Sequence, residues 1–386
     1  MIYFDSAATT LQKPRSVINA VQRTMLTCSS VGRGGYPAAA AAAERVYECR
    51  ELAGKLFDAE PEQVVFTMNA THGLNIAIKS LVKPGGRVVI SGFEHNAVTR
   101  PLHALGAQVM VAGQRLFQPE DTLAEFENAL QNEPDAVICT YVSNVYGYIL
   151  PIQQIAELCA LRGIPLVIDA SQAAGSLPVS LRDTGAAFIG MPGHKGLYGP
   201  QGTGILLCAD GAKPLLEGGT GSNSAEAEMP EFLPDRLEAG THNVCGIAGL
   251  AEGLRFVIQK TPERILAHER RLLRKTQRIL ERLNGIQPFF GQPQSGVVSF
   301  ITDPMDCEEA AQRLANAGVA VRAGLHCAPL AHRSGGSFER GTVRLSFSAF
   351  NTEEEITQLE RICRKVFSAE KEKASFPTCY CCRNRI

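Results

Sequence analysis

Between residues 64 and 208 short apolar runs alternate with longer stretches of helical period. The runs at 64–66, 87–91, 108–111, 136–141 and 165–169 read as strands. Between them, 71–82, 97–105, 122–130 and 152–162 read as helices. Short apolar strands bounded by turns, each followed by a helix, imply a mostly parallel sheet covered on both faces. Two more apolar runs, 186–189 and 205–208, flank a glycine-rich loop. Upstream, 11–28 predicts a connection and a helix with Pro14 near its start. A longer helix over 38–57 follows, built on six consecutive alanines.

After residue 208 the pattern loosens. The stretch 218–241, rich in Gly, Ser, Glu and Pro, reads as an extended functional loop. A helix over 263–284 carries Arg and Glu on what reads as a solvated face. Strands at 296–301, 319–321 and 342–347, with helices at 307–317 and 352–367, complete an α+β unit. The expected class is α/β, with a large domain over 16–255 and a small domain of 1–15 and 256–370. A Cys-rich tail, 371–386, ends the chain. The first residues are expected to return to the small domain.

Composition narrows the function classes. Lys+Arg 38 against Asp+Glu 39 gives a net charge of −1, and no long basic run appears, which argues against nucleic acid and anionic membranes as partners. No secretory signal and no membrane-length apolar segment is visible. Most of the twelve cysteines are scattered singly, as thiols of a reducing compartment would be, so the cytoplasm is the expected setting. Cys379, Cys381 and Cys382 differ: clustered near the chain end, they could relay sulfur, bind a soft metal or form a redox pair. Their spacing lacks the paired C-x-x-C knuckles of structural zinc, and no metal centre is expected.

Candidate chemistry centres on 190–204, where six glycines and two prolines surround Lys195. Glycine allows close backbone approach to a ligand at a cost in chain entropy. In an open parallel sheet, ligands sit beyond the carboxyl ends of the strands. There the sequence places Ala70-Thr71 at a helix start, His95, Asn144, and Asp169 with Gln172. A carboxylate closing a buried strand calls for a cationic partner. Pyridoxal phosphate accounts for the set: a lysine for the Schiff base, an acid for the ring nitrogen, an anion site and a flat side chain.

Tyr3-Phe4-Asp5-Ser6-Ala7-Ala8-Thr9, Glu94-His95-Asn96-Ala97, Val142-Ser143-Asn144, Asp169-Ala170-Ser171-Gln172-Ala173, Gly193-His194-Lys195 and Glu238-Ala239-Gly240-Thr241 together resemble the class V aminotransferase group of fold-type I pyridoxal-phosphate enzymes. Within that group the chain is most similar to cysteine desulfurases and selenocysteine lyases. The resemblance implies that Lys195 is the Schiff-base lysine, Asp169 the partner of the ring nitrogen and His95 the stacking residue. Gln172 would bond the ring hydroxyl, and Asn144 would lie near substrate and cofactor. Ala70, Thr71 and His194 would serve the phosphate, with Thr241 reaching a second subunit's site in a homodimer.

Arg322-Ala323-Gly324-Leu325-His326-Cys327-Ala328 resembles a segment of the Suf-type desulfurases, which makes Cys327 the candidate nucleophile. Beside His326 and near Arg322, its thiol is expected to be placed as a thiolate. Arg344 matches the arginine that holds the substrate carboxylate, a task its fork geometry suits; Arg322 joins it at the substrate. Pro192, His72 and Leu325 depart from the family pattern. The implied reaction takes sulfur, or selenium, from L-cysteine or L-selenocysteine, leaves L-alanine, and passes a Cys327 persulfide to an acceptor protein. A selenocysteine-specific lyase, a class V aminotransferase or β-lyase, and a non-catalytic sulfur or metal carrier stay open as alternatives.

Overall fold

A computed structural model describes residues 1–32, 34–209 and 211–368. The chain opens with β1 (Ile2–Tyr3), α1 (Arg15–Thr27) and α2 (Pro37–Phe57). Then come β2 (Val64–Thr67), α3 (Ala70–Leu81), β3 (Arg87–Ser91), α4 (Asn96–Ala104), β4 (Gln108–Ala112), α5 (Pro119–Ala129), β5 (Ala136–Thr140) and α6 (Ile152–Leu161). β6 (Leu166–Asp169), α7 (Leu181–Thr184), β7 (Phe188–Pro192) and β8 (Gly204–Cys208) follow. The last part runs α8 (Val244–Lys260), α9 (Pro262–Leu280), β9 (Ile286–Pro288), β10 (Val297–Thr302), α10 (Cys307–Asn316) and β11 (Val319–Ala320). It ends with β12 (Arg322–Gly324), α11 (Pro329–Ser334), β13 (Thr342–Ser346) and α12 (Glu353–Ser368).

Seven strands make one sheet in the order β2-β8-β7-β6-β5-β3-β4. The pairs from β7 through β6, β5 and β3 to β4 are parallel, and β8 runs against both its neighbours. Every residue of β2, β5, β6, β7 and β8 is buried, as near-continuous Val, Ile and Leu runs require when both faces are covered. Side chains alternate between the faces. Val64 and Phe66 join the apolar cluster on one face and Val65 the cluster on the other; Val137 and Cys139 are likewise split from Ile138.

A second sheet, β12-β13-β10-β9, is antiparallel. Its core joins Val298, Phe300, Val343 and Leu345 to Leu272 of α9, Leu314 of α10 and Ile356 of α12. Ile2 and Phe4 belong to this core, and β1 pairs in parallel with β11, so the first residues do return to the C-terminal unit. The segment that follows crosses to the other unit: Thr10 N donates to His194 O (3.1 Å). Five elements were not anticipated, namely β1, β9, β12, α7 and α11, all short. The predicted strand 319–321 is β11, and after Val321 the chain forms β12 where the sequence reads as part of a turn. The whole Cys-rich tail, 371–386, including Cys379, Cys381 and Cys382, lies outside the described residues.

Candidate active site

The sheet's parallel strands end at a cavity of about 230 Å³ lined by Ala70, Thr71, His95, Asn144, Asp169, Gln172, Pro192, His194, Lys195, Arg322, His326 and Arg344. Of the expected site residues, Cys327 and Thr241 are outside this lining.

Lys195 follows β7 in a loop pressed against the turn after β6. A Cβ on Gly175 (φ +93°) would come 2.0 Å from Gly196 O, and one on Gly196 would come 2.3 Å from Ala174 O. Those glycines bring the lysine loop and the segment from Asp169 to Gln172 together. Burial lowers the Lys195 amine to about 8 from 10.5; Asp169 opposes the shift, and Arg344 and Arg322 add to it. Asp169 is 3% exposed. Its Oδ1 accepts from Ser171 N (2.9 Å), and its other oxygen makes no hydrogen bond to the described residues.

His95 caps α4, its Nδ1 accepting from Ala97 N (3.0 Å), which puts the ring proton on Nε2. Burial first, then Lys195, Arg322 and Arg100, lower its pKa to about 4. His194 falls to about 4 as well, through burial, Lys195 and Lys13; its Nδ1 meets Thr9 Oγ1 at 3.0 Å. Both rings are therefore neutral at pH 7. The N-terminus of α3 faces the cavity with Ala70 and Thr71. Its cap is the Asn69 side chain, which accepts from His72 N (2.9 Å) and leaves the Thr71 hydroxyl available. Gln172 Nε2 donates to Ala7 O (3.0 Å).

The C-terminal unit supplies the other wall. Arg322 and Arg344 are directly opposite each other on β12 and β13, a like-charge cross-strand pair that destabilises the sheet unless anions meet it. Arg344 is 1% exposed; Nη2 is ion-paired with Asp5 Oδ1 (2.8 Å), Nη1 donates to Asn144 O (3.0 Å), and Nε has no partner among the described residues. Asn144 Nδ2 donates to His326 O (2.8 Å), while its buried Oδ1 has no partner among the described residues. Two residues of the cavity lining thus each keep an unsatisfied buried group, one donor and one acceptor, complementary in kind to the carboxylate and amino group of an amino acid.

Cys327 is exposed. The backbone is left-handed at His326 (φ 48°) and Cys327 (φ 56°), a costly arrangement for non-glycine residues that tends to accompany functional sites. Asn96 N holds Cys327 O (2.8 Å), and Arg322 Nη2 is 3.8 Å from Cys327 Sγ. The expectation for His326 needs correcting. Its ring points inward, with Nε2 at 3.0 Å from Thr342 Oγ1 and the ring stacked on His332. Burial, Arg344 and His332 keep it well below an ordinary histidine pKa. Arg322 is the cation beside the thiol.

Sequence reasoning named Asp5 within a motif but gave it no role. Thr241 is exposed and lines a separate cavity of about 140 Å³ with Met68, His72 and His242.

The sequence matches the family described as Aminotransferase class-V over residues 2–359. It is 31% identical over 373 residues to a probable cysteine desulfurase of Methanothermobacter thermautotrophicus, covering 93% of this chain and 92% of that one. A probable cysteine desulfurase of Pyrococcus abyssi is 30% identical, with 92% of each chain covered. Among solved structures, the apo structure of cysteine desulfurase from Thermococcus onnurineus NA1 superposes with a TM-score of 0.88 at 28% identity, covering 95% of this chain and 94% of that one. With its mostly parallel sheet, its second antiparallel unit and these relatives, the chain belongs to the class V aminotransferase family, among the proteins named cysteine desulfurases.

Proposed function

We propose that the protein is a pyridoxal-phosphate-dependent cysteine desulfurase that removes sulfur from L-cysteine, leaves L-alanine and carries the sulfur as a persulfide on Cys327. The observation that carries this reading is the exposed, left-handed Cys327 turn, with Arg322 beside its sulfur, whose neighbours Arg322 and His326 line the cavity that holds Lys195 and Asp169.

The residues fit the cofactor. A buried carboxylate with an unengaged oxygen (Asp169), a desolvated amine (Lys195) and a helix N-terminus with a free hydroxyl (Ala70, Thr71) surround one cavity. Asp169 would hold the ring nitrogen, His95 the ring face, Gln172 the ring hydroxyl, and Ala70, Thr71 and His194 the phosphate. A neutral His194 would serve as a hydrogen-bond donor, and Pro192 contributes no hydroxyl. When bound, the cofactor's pyridine ring takes up the electron pair left at the substrate's α-carbon.

The chain's own groups do the rest. Arg344 takes the substrate carboxylate through Nε, with Arg322 adding positive charge and Asn144 Oδ1 facing the substrate amine. Lys195 Nζ removes the α-proton and later returns a proton. Cys327 Sγ, as the thiolate, attacks the substrate sulfur; the new S–S bond forms as the substrate's Cβ–S bond breaks. In balance, L-cysteine and the Cys327 thiol become L-alanine and the Cys327 persulfide, which passes to an acceptor protein or a reductant.

A homodimer is part of the proposal, supported by Thr241 standing exposed outside the Lys195 cavity, where a residue serving a second subunit would be. The division into 16–255 against 1–15 with 256–370 is supported by one apolar cluster drawn only from the second set, while Leu266, Ala328 and Ala331 pack into the larger unit's cluster. A cytoplasmic setting is supported by free thiols at the buried Cys49, Cys139, Cys159 and Cys363. No helix among the described residues is long and apolar enough to cross a membrane.

Purified protein incubated with L-cysteine and, separately, L-selenocysteine tests the reading. Alanine formed in step with bound or released sulfur is expected, together with a yellow colour bleached by borohydride and absent in Lys195→Ala. Pyruvate or a keto acid in place of alanine would assign a β-lyase or an aminotransferase. Alanine from selenocysteine alone would assign a selenium-specific lyase.

A further inference from the structure

Arg344 is held by a carboxylate that comes from the other end of the chain. Asp5 is 339 positions away in sequence, yet its backbone is fastened to the strand that carries the arginine. Asp5 bridges Ser346 in parallel. Ser346 N donates to Phe4 O (2.8 Å) and Ala7 N to Ser346 Oγ (2.8 Å). Ser346 and Arg344 are two residues apart on β13, so both project to one face of the sheet. The Asp5 carboxylate and the Arg344 guanidinium are thus set by one short piece of backbone.

The charges explain why such an arrangement is needed. Arg344 is almost wholly buried and stands directly opposite Arg322. Without an internal anion, the two guanidiniums would repel across the strands, and the longer-reaching fork would leave its place. Asp5 offsets that repulsion and still leaves Nε of this cavity-lining arginine without a partner among the described residues. The fork therefore meets an incoming carboxylate already oriented, with its side-chain entropy largely removed in advance.

We propose that Asp5 is the positioning residue for substrate-carboxylate recognition: anchored on β13, it holds the Arg344 guanidinium in place at the cavity wall against Arg322. This rests on the reading of Arg344 as the carboxylate-binding residue. Asp5 acts through Arg344 and touches no reacting atom, so its loss falls on binding. A purely structural role would lower the amount of folded enzyme or kcat and leave KM alone.

The test uses the cofactor-loaded enzyme with L-cysteine, and calorimetric binding of L-alanine as a second readout. Asp5→Asn should raise KM for L-cysteine about 10-fold, keep kcat within about two-fold, and weaken L-alanine binding by the same factor; one tenfold step is the scale of a single charge-assisted contact. Asp5→Glu, which keeps the charge and shifts it by one methylene, should recover part of that loss and covers the case in which Asp5→Asn does not fold. Arg344→Gln tests the underlying reading separately and should raise KM more than either. If KM and L-alanine affinity are unchanged in both Asp5 variants while Arg344→Gln raises KM, the Asp5 proposal is overturned and the Arg344 assignment stands. If Arg344→Gln leaves KM unchanged, that assignment falls, and the role given to Asp5 falls with it.

Discussion

At Lys195, burial strips water from the amine and outweighs the pull of Asp169, so its pKa falls to about 8. Only the unprotonated amine attacks an aldehyde. Capture of pyridoxal phosphate by cofactor-free protein should therefore speed up as pH rises through about 8 and level off above it, well below the ordinary lysine value of 10.5. Asp169→Asn removes the carboxylate that favours the ammonium form, so the midpoint should move down. Stopped-flow absorbance across pH checks both, and an unshifted midpoint near that of free lysine would contradict the desolvation argument. Residue by residue, most positions singled out from the sequence line one cavity, because each group sits at the end of an element whose apolar pattern is strong. The Asp5–Arg344 ion pair was not legible, since a partner 339 positions away leaves no local trace. His326 misled for a different reason. Adjacency to Cys327 suggested shared chemistry, but left-handed backbone at both positions turns the ring inward and the thiol outward.

Among elements, the lysine loop and the turn after β6 depend on each other through a glycine contact. Gly175→Ala would add a side chain at φ +93° and 2.0 Å from Gly196 O, where backbone must move. We expect a loss of roughly 2–4 kcal/mol of stability and a fall in kcat through displacement of Lys195; chemical denaturation and steady-state kinetics measure the two. A substitution there that left both unchanged would show that the loop does not need this close approach. The large elements were legible because their periodicity is long and unbroken. β1 and β9 escaped because two or three residues carry no period, and β1 exists only by pairing with β11, across most of the chain. The three-residue β12, just beyond the predicted strand 319–321, escaped for the same reason.

For the whole molecule, the junction between the two units matters as much as either. Behind Lys195 lies a small cavity of about 40 Å³ reached by Tyr198, Glu269 of α9, and Ser295. The Ser295 hydroxyl has no partner among the described residues. Burial raises Glu269 to about 8 from 4.5. The folded state therefore favours the neutral carboxyl: that contribution is fully present below 4.5 and is lost as pH rises through about 8. Glu269→Gln cannot titrate, so its stability relative to the parent should climb between those values by roughly 3–5 kcal/mol, at about 1.4 kcal/mol per unit. Thermal melts across that range check it, and a constant offset would contradict it. Charge balance around the junction also frames the chemistry. Lys195, Arg322 and Arg344 face Asp169 and Asp5, an excess of cation that suits a carboxylate substrate and a thiolate.

The central claim is that Cys327 takes the sulfur. Peptide mass spectrometry after a single turnover with L-cysteine, alongside alanine measurement, tests it most directly. We predict one additional sulfur atom on the Cys327 peptide for each alanine released, and no alanine from L-cysteine with Cys327→Ala. Alanine released while Cys327 stays unmodified, with Cys327→Ala still turning over L-cysteine, would contradict it.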